Sequence, residues 1–160
     1  MLIVLESIVM CFILLIVCVI GIAGGPVGLV NFYEQDVQNR VVQLGLTTKK
    51  RIQRNAAVSA AAIFVPVLFL VPAMVFCING ARGFGSIFWQ CLAILWISGL
   101  FDRIFIDWYW VGRTKAWQIP GTEDLMPYIP KRTLIHKWMG TLITFPIIAA
   151  LQAAILQFFP

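Results

Sequence analysis

Between Met1 and Val30 the chain carries a single charged side chain, Glu6, and comparably apolar runs recur at about 56–78, 84–106 and 134–159. Nothing else in the sequence restricts the fold so strongly. A helix rises about 1.5 Å per residue, so roughly 20 apolar residues match the ~30 Å hydrocarbon core of a bilayer. A water-soluble fold could not hide four such runs: 61% of the residues are hydrophobic and 12% charged, about half the charge of an ordinary soluble domain. The expected fold is all-α: a polytopic membrane protein with about four transmembrane helices. It should form a single transmembrane domain over 1–160, with polar loops at 31–55 and 107–133.

The formal net charge of +5 is not a nucleic-acid signal, because the twelve Lys and Arg residues lie between the apolar runs rather than on one soluble face. Arg40, Lys49, Lys50, Arg51 and Arg54 fall in the first polar segment. Arg103, Arg113, Lys115, Lys131, Arg132 and Lys137 fall in or beside the second, leaving only Arg82 for the short connection at 79–83. Basic residues near span ends stay on the cytoplasmic side. Both termini are therefore expected outside and both larger loops in the cytoplasm, in a multi-pass protein of the cell (cytoplasmic) membrane.

The first run lacks the basic start of a secretory signal peptide and is expected to be a retained span. Cys11, Cys18, Cys77 and Cys91 all sit in apolar runs without a Cys-x-x-Cys pair, the usual setting of small buried hydrophobes. Glu6 lies only ~8 Å from the outer end by helical rise, close enough to snorkel. Gly21 with Gly25, and Gly24 with Gly28, form small-x-x-x-small patterns that permit close helix approach, within the chain or between copies.

In the first loop Asp36 and Arg40 are four apart, and Val37, Val41 and Leu44 share a face. This predicts a short interfacial helix before Gly45, with Thr47 or Thr48 capping the next. Pro66, Pro72 and Pro146 predict kinks in the second and fourth spans. Asn79–Gly83 suits a tight turn, and Pro120-Gly121 the centre of a type II turn. Thr133 is placed to cap the last span. Trp108, Tyr109, Trp110, Trp117 and Tyr128 give the second loop the composition of a headgroup layer.

Ionisable groups at the end of a span are costly and tend to pair or line a polar cavity. Asp102, Arg103 and Asp107 are such a group, with Arg103 and Asp107 on one helix face. Glu123, Asp124 and His136 join them as candidate acid–base residues if the second loop folds back over the third span. Arg103, Arg113, Lys131 and Arg132 are the candidate substrate-binding cations. Asn31, Glu34 and Asp36 lie near the same membrane face. Lys49, Lys50, Arg51 and Arg54 form a basic cluster before the second span, suited to anionic lipid headgroups. No His-x-x-x-His or Cys-His spacing supports zinc, so no metal is expected, and no motif names a cofactor.

These features predict a polar site at the cytoplasmic interface that binds or acts on an amphiphilic or phosphorylated molecule. Two alternatives remain, a homo-oligomeric transporter or channel and a non-catalytic accessory subunit. Polar residues within the spans, such as Gln90, Ser98 and Gln152, are too sparse to line a conduction path in one copy. The expected partners are membrane lipids and a second copy of the chain, with no nucleic acid.

Overall fold

Five helices form in the computed structural model, which describes residues 1–159. They are α1 (Leu2–Ile22), α2 (Gln35–Gln43), α3 (Lys49–Ile78), α4 (Phe84–Val111) and α5 (Lys131–Leu156). All but α2 are long and apolar enough to cross a membrane, and the described residues include no strand. Phe12, Ile16, Phe69, Trp89, Ile147 and Leu151 are among the many large apolar side chains exposed on these helices. So much apolar surface requires a lipid solvent.

α1 stops at Ile22, short of the Val30 expected from apolarity alone. Gly25, at φ 107°, and Pro26 turn the chain, and a 3₁₀ segment, Pro26–Phe32, folds back along the helix end. A Cβ on Gly28 would lie 2.0 Å from the Gly21 carbonyl oxygen, and one on Gly21 would strike Leu29. The glycines therefore serve a contact within the chain, Gly21 against Gly28, at a spacing the sequence pattern does not pair. Asn55 on α3 fastens the segment by donating to the Gly28 carbonyl at 2.8 Å.

The short helix expected in the first loop forms. On α2, Val37 and Val41 are buried, and Gly45 takes φ 70° just beyond it. Leu44 departs from the expected face and is exposed. Asp36 accepts from its neighbour's amide, Val37 N–H, rather than pairing with Arg40, which reaches Asp124 across the loop. Thr48 caps α3 by accepting from Arg51 N–H.

Along α3 the prolines widen the helix rather than break it. Around Pro66–Leu70 the bonds run i→i+5, with Val71 N–H on the Pro66 carbonyl. In that register the next donor would come from Pro72, which has none. The Val67 carbonyl so freed accepts from the Gln152 side chain of α5 at 2.7 Å, which gives this buried glutamine a structural role. Gly80 and Gly83 then adopt φ 63° and 74° in the turn into α4.

α4 runs past the expected Ile106 to Val111, so Asp107 to Val111 are helix rather than loop. Ile106, Asp107 and Val111 are buried there, and these contacts carry the helix onward through wide turns. Pro120-Gly121 makes the expected turn, with Thr122 N–H on the Ile119 carbonyl at 3.2 Å and Gly121 at φ 83°. α5 begins at Lys131, directly after Pro130, and Thr133 is not its cap: the hydroxyl bonds Glu34 instead.

α4 packs chiefly against α5 and α1. Gly99 allows the first approach, since a Cβ there would lie 2.6 Å from the Phe145 ring. Buried apolar residues form two clusters. One, around Met10, Val71, Ile87, Leu95 and Ala149, fills the end nearer both termini. The other, around Val30, Val41, Ile106, Trp117 and Ile119, binds the 3₁₀ segment, α2 and the loop before α5 to the opposite end of the bundle.

A candidate interfacial cavity

Where the two apolar clusters meet, they leave a cavity of about 290 Å³. Met10 and Val67 reach it from the first cluster, and Tyr33, Ile106, Val111 and Trp117 from the second. Its wall is largely apolar, but Asp102, Arg103, Asp107 and Lys137 line one part. Phe32 and Phe64, 38% and 51% exposed, are its outermost apolar lining residues. A cavity with apolar walls and a few convergent polar groups is the usual form of a small-molecule site.

The wide turns of α4 bring its ionisable residues together. Asp102 and Asp107 both face Arg103: its Nη2 lies 2.8 Å from Asp102 Oδ2, and its Nη1 bonds Asp107 Oδ2. Arg103 Nε donates to Thr141 Oγ1 on α5 at 3.3 Å, and Lys137 Nζ, also on α5, lies 3.0 Å from Asp107 Oδ1. The four charges sum to zero. In a low-dielectric setting such pairs persist only when closely matched, and here both Asp107 oxygens and all three Arg103 nitrogens are engaged.

The remaining residues expected at the site have other partners. Glu123 accepts from the Gly121 amide through both carboxylate oxygens, at 2.9 and 3.1 Å, and Asp124 pairs with exposed Arg40 at 3.2 Å. Arg113 lies over the Trp108 ring at 4.1 Å. His136 and Arg132 line a separate open groove with Glu34 and Asp36, and Lys131 is exposed at the start of α5. Lys49, Lys50, Arg51 and Arg54 stay exposed on the first two turns of α3. The expected convergence is thus limited to Asp102, Arg103 and Asp107, joined by Lys137. Among the described residues no three His, Cys, Asp or Glu side chains group as metal ligands.

Two lining residues are not among those the sequence singles out for a site. Tyr33 and Trp117 are 5% and 3% exposed, and neither the phenol oxygen nor the indole nitrogen has a hydrogen-bond partner. Burial pushes the Tyr33 phenol up, and neighbouring Tyr128 adds to the push. Tyr128 is fully used: its hydroxyl accepts from Ile119 N–H at 2.9 Å and meets Thr122 Oγ1 at 2.7 Å.

Glu6 does not snorkel. It is 5% exposed, and its Oε2 accepts at 2.9 Å from Asn79 Nδ2, which also donates to Gln90 Oε1. The four cysteines are free. No family model, no curated protein and no solved structure matches the chain.

Proposed function

We propose that this membrane protein holds an amphiphilic molecule in the cavity between α1, α3, α4 and α5, at the cytoplasmic face of the cell membrane. The observation behind this reading is the continuity of one space: apolar walls that suit a chain or ring lead to the Asp102–Arg103–Asp107–Lys137 network, which suits a polar head. Phe32 and Phe64 mark a route from the lipid-facing surface, so the molecule enters sideways from the bilayer. Lys49, Lys50, Arg51 and Arg54 hold that end of the bundle to anionic headgroups, at about 1 kcal/mol of attraction for each cation near the surface. If the protein also acts on its ligand, Asp102 and Asp107 are the carboxylates placed to do so.

Native mass spectrometry of protein released gently from detergent tests the binding. Wild-type protein should retain a defined lipid or metabolite, and Val17→Trp, which fills the cavity from α1, should lose it without a drop in Tm. Equal retention by both proteins overturns the reading. The same spectra give the copy number, and a stable homo-oligomer with no bound molecule would favour the transporter or channel alternative. For orientation, Lys50→Cys, Arg82→Cys and Asp124→Cys are placed singly in a cysteine-free background and labelled in intact cells. Only position 82 should react from outside, and labelling at 50 or 124 would reverse the topology.

A further inference from the structure

The two carboxylates on the cavity wall are not equally engaged. Asp107 uses both oxygens, Oδ2 on Arg103 and Oδ1 on Lys137 at 3.0 Å, and its side chain is 7% exposed. Asp102 meets one cation, Arg103 Nη2 at 2.8 Å from Oδ2, and its side chain is 24% exposed. Among the described residues nothing donates a hydrogen bond to Asp102 Oδ1. An ionised carboxylate accepts through both oxygens, and bonds to it are among the strong ones, so an open oxygen beside a largely apolar space is a strong acceptor without a donor. The cations have capacity left as well. Lys137 gives Asp107 one of the three N–H groups of its ammonium. Asp102 on α4 and Lys137 on α5 both line the cavity, which therefore presents an open acceptor and open donors to one space.

We infer that Asp102, rather than Asp107, is the carboxylate that meets the bound molecule, and that the head it takes carries an O–H or N–H donor for Asp102 beside an oxygen acceptor for Lys137. The inference deepens the amphiphile reading and rests on it. Asp107 holds the two cations in place, and Arg103 fixes the Asp102 carboxylate through Oδ2 and leaves Oδ1 to the ligand. A hydroxylated head or an amide supplies both donor and acceptor. A head with acceptors only, such as a plain ester or the carboxylate of a fatty acid, sets its lone pairs against Oδ1 and leaves that oxygen unmet, which costs free energy in a low-dielectric site.

The probes are 1-oleoylglycerol and methyl oleate, which share a chain and an ester and differ by the hydroxyl donors. Dissociation constants are measured by native mass spectrometry for wild-type protein, Asp102→Ala and Asp102→Asn. The readout is the preference, the methyl oleate constant divided by the 1-oleoylglycerol constant. Partition into detergent and any general loosening of the cavity affect the two probes alike in every protein, and so cancel when preferences are compared. Asp102→Ala should lower the preference at least about tenfold, the loss expected for one hydrogen bond to a charged group. Asp102→Asn keeps a neutral side-chain oxygen and should lower it by less, about threefold; it is read alone where Asp102→Ala fails to fold.

A preference that is the same or larger in the variants overturns the assignment of Asp102: its open oxygen is then met by water, and the amphiphile reading is left standing. If neither probe binds wild-type protein, the inference falls. The comparison of wild type with Val17→Trp then decides separately whether the cavity holds any amphiphile.

Discussion

The two ends of the bundle each bury a polar cluster, and the clusters are built on opposite plans. At the end that holds both termini, Asn79 ties Glu6 of α1 to Gln90 of α4 through a single amide nitrogen. No cation joins them, and Glu6 Oε1 and Asn79 Oδ1 have no partner. At the other end, two aspartates and two cations span only α4 and α5, close their bonds on each other, and face a cavity. The first cluster is a clamp across three segments that tolerates an imperfect hydrogen-bond count. The second matches its charges closely because an unmatched charge beside an apolar cavity would have no compensation. Polar groups in a membrane helix thus serve either assembly or a site, and partner count together with open space separates the two.

Removing Asp107 should have the largest effect of any change to this contrast. Asp107→Ala leaves Arg103 and Lys137, 15% and 24% exposed at the side chain, with one partner fewer; breaking a buried pair costs about 3–5 kcal/mol, and the partial exposure of the cations puts this one at the lower end. Thermal unfolding in detergent should show it as a large fall in Tm. The double substitution Asp107→Leu with Lys137→Met should recover part of the loss, since a matched apolar pair can replace a buried ion pair. A loss no greater than that of an ordinary surface change would mean that the network is solvated and the two ends are not different in kind.

Gly28→Ala comes next, because the charged end depends on the 3₁₀ segment that leads to Tyr33. The added Cβ would meet backbone, the Gly21 carbonyl oxygen at 2.0 Å, so the segment must move away from α1 at about 1–3 kcal/mol. Gly24→Ala is the control, with open space around the new methyl group. Its Tm should change little, and equal losses at both positions would show that glycine flexibility rather than close approach is at stake.

How much of this could be read beforehand differs between spans and site. The four apolar runs fix the helices, because few other structures accept them, and the conspicuous charges at Asp102, Arg103 and Asp107 mark the network. Span ends were less legible. Pro26 to Val30 is as apolar as a span because Leu29 and Val30 are buried against the rest of the protein, not because they cross lipid. Asp107 to Val111 looks like a headgroup loop, yet burial of three of its neighbouring side chains extends α4. Tyr33 and Trp117 had no sequence signal, since aromatic residues near an interface are ordinary. Only the pairing of deep burial with a missing partner singles them out.

At the terminal end, Glu6→Gln should raise stability by about 1 kcal/mol. The substitution removes a buried carboxylate that has no cation and keeps an oxygen to accept from Asn79 Nδ2. A small rise in Tm is the expected reading. A fall would mean that the carboxylate itself is required, and the terminal cluster would then be a candidate site rather than a clamp.

The smallest effect is expected for Arg40→Ala, which breaks the one salt bridge between α2 and the second loop among the described residues. Its partner Asp124 is 61% exposed at the side chain and Arg40 39%, so water and salt screen the pair, and such pairs are worth at most about 1 kcal/mol. Part of that should already be lost in wild-type protein at 1 M salt, where screening acts within about 3 Å. Arg40→Ala and wild type should therefore converge in Tm as salt rises, while Asp107→Ala, acting on a buried network, should keep its deficit. If instead Arg40→Ala costs as much as Asp107→Ala, the loop contact rather than the α4–α5 network holds the charged end together, and the cavity owes its shape to α2.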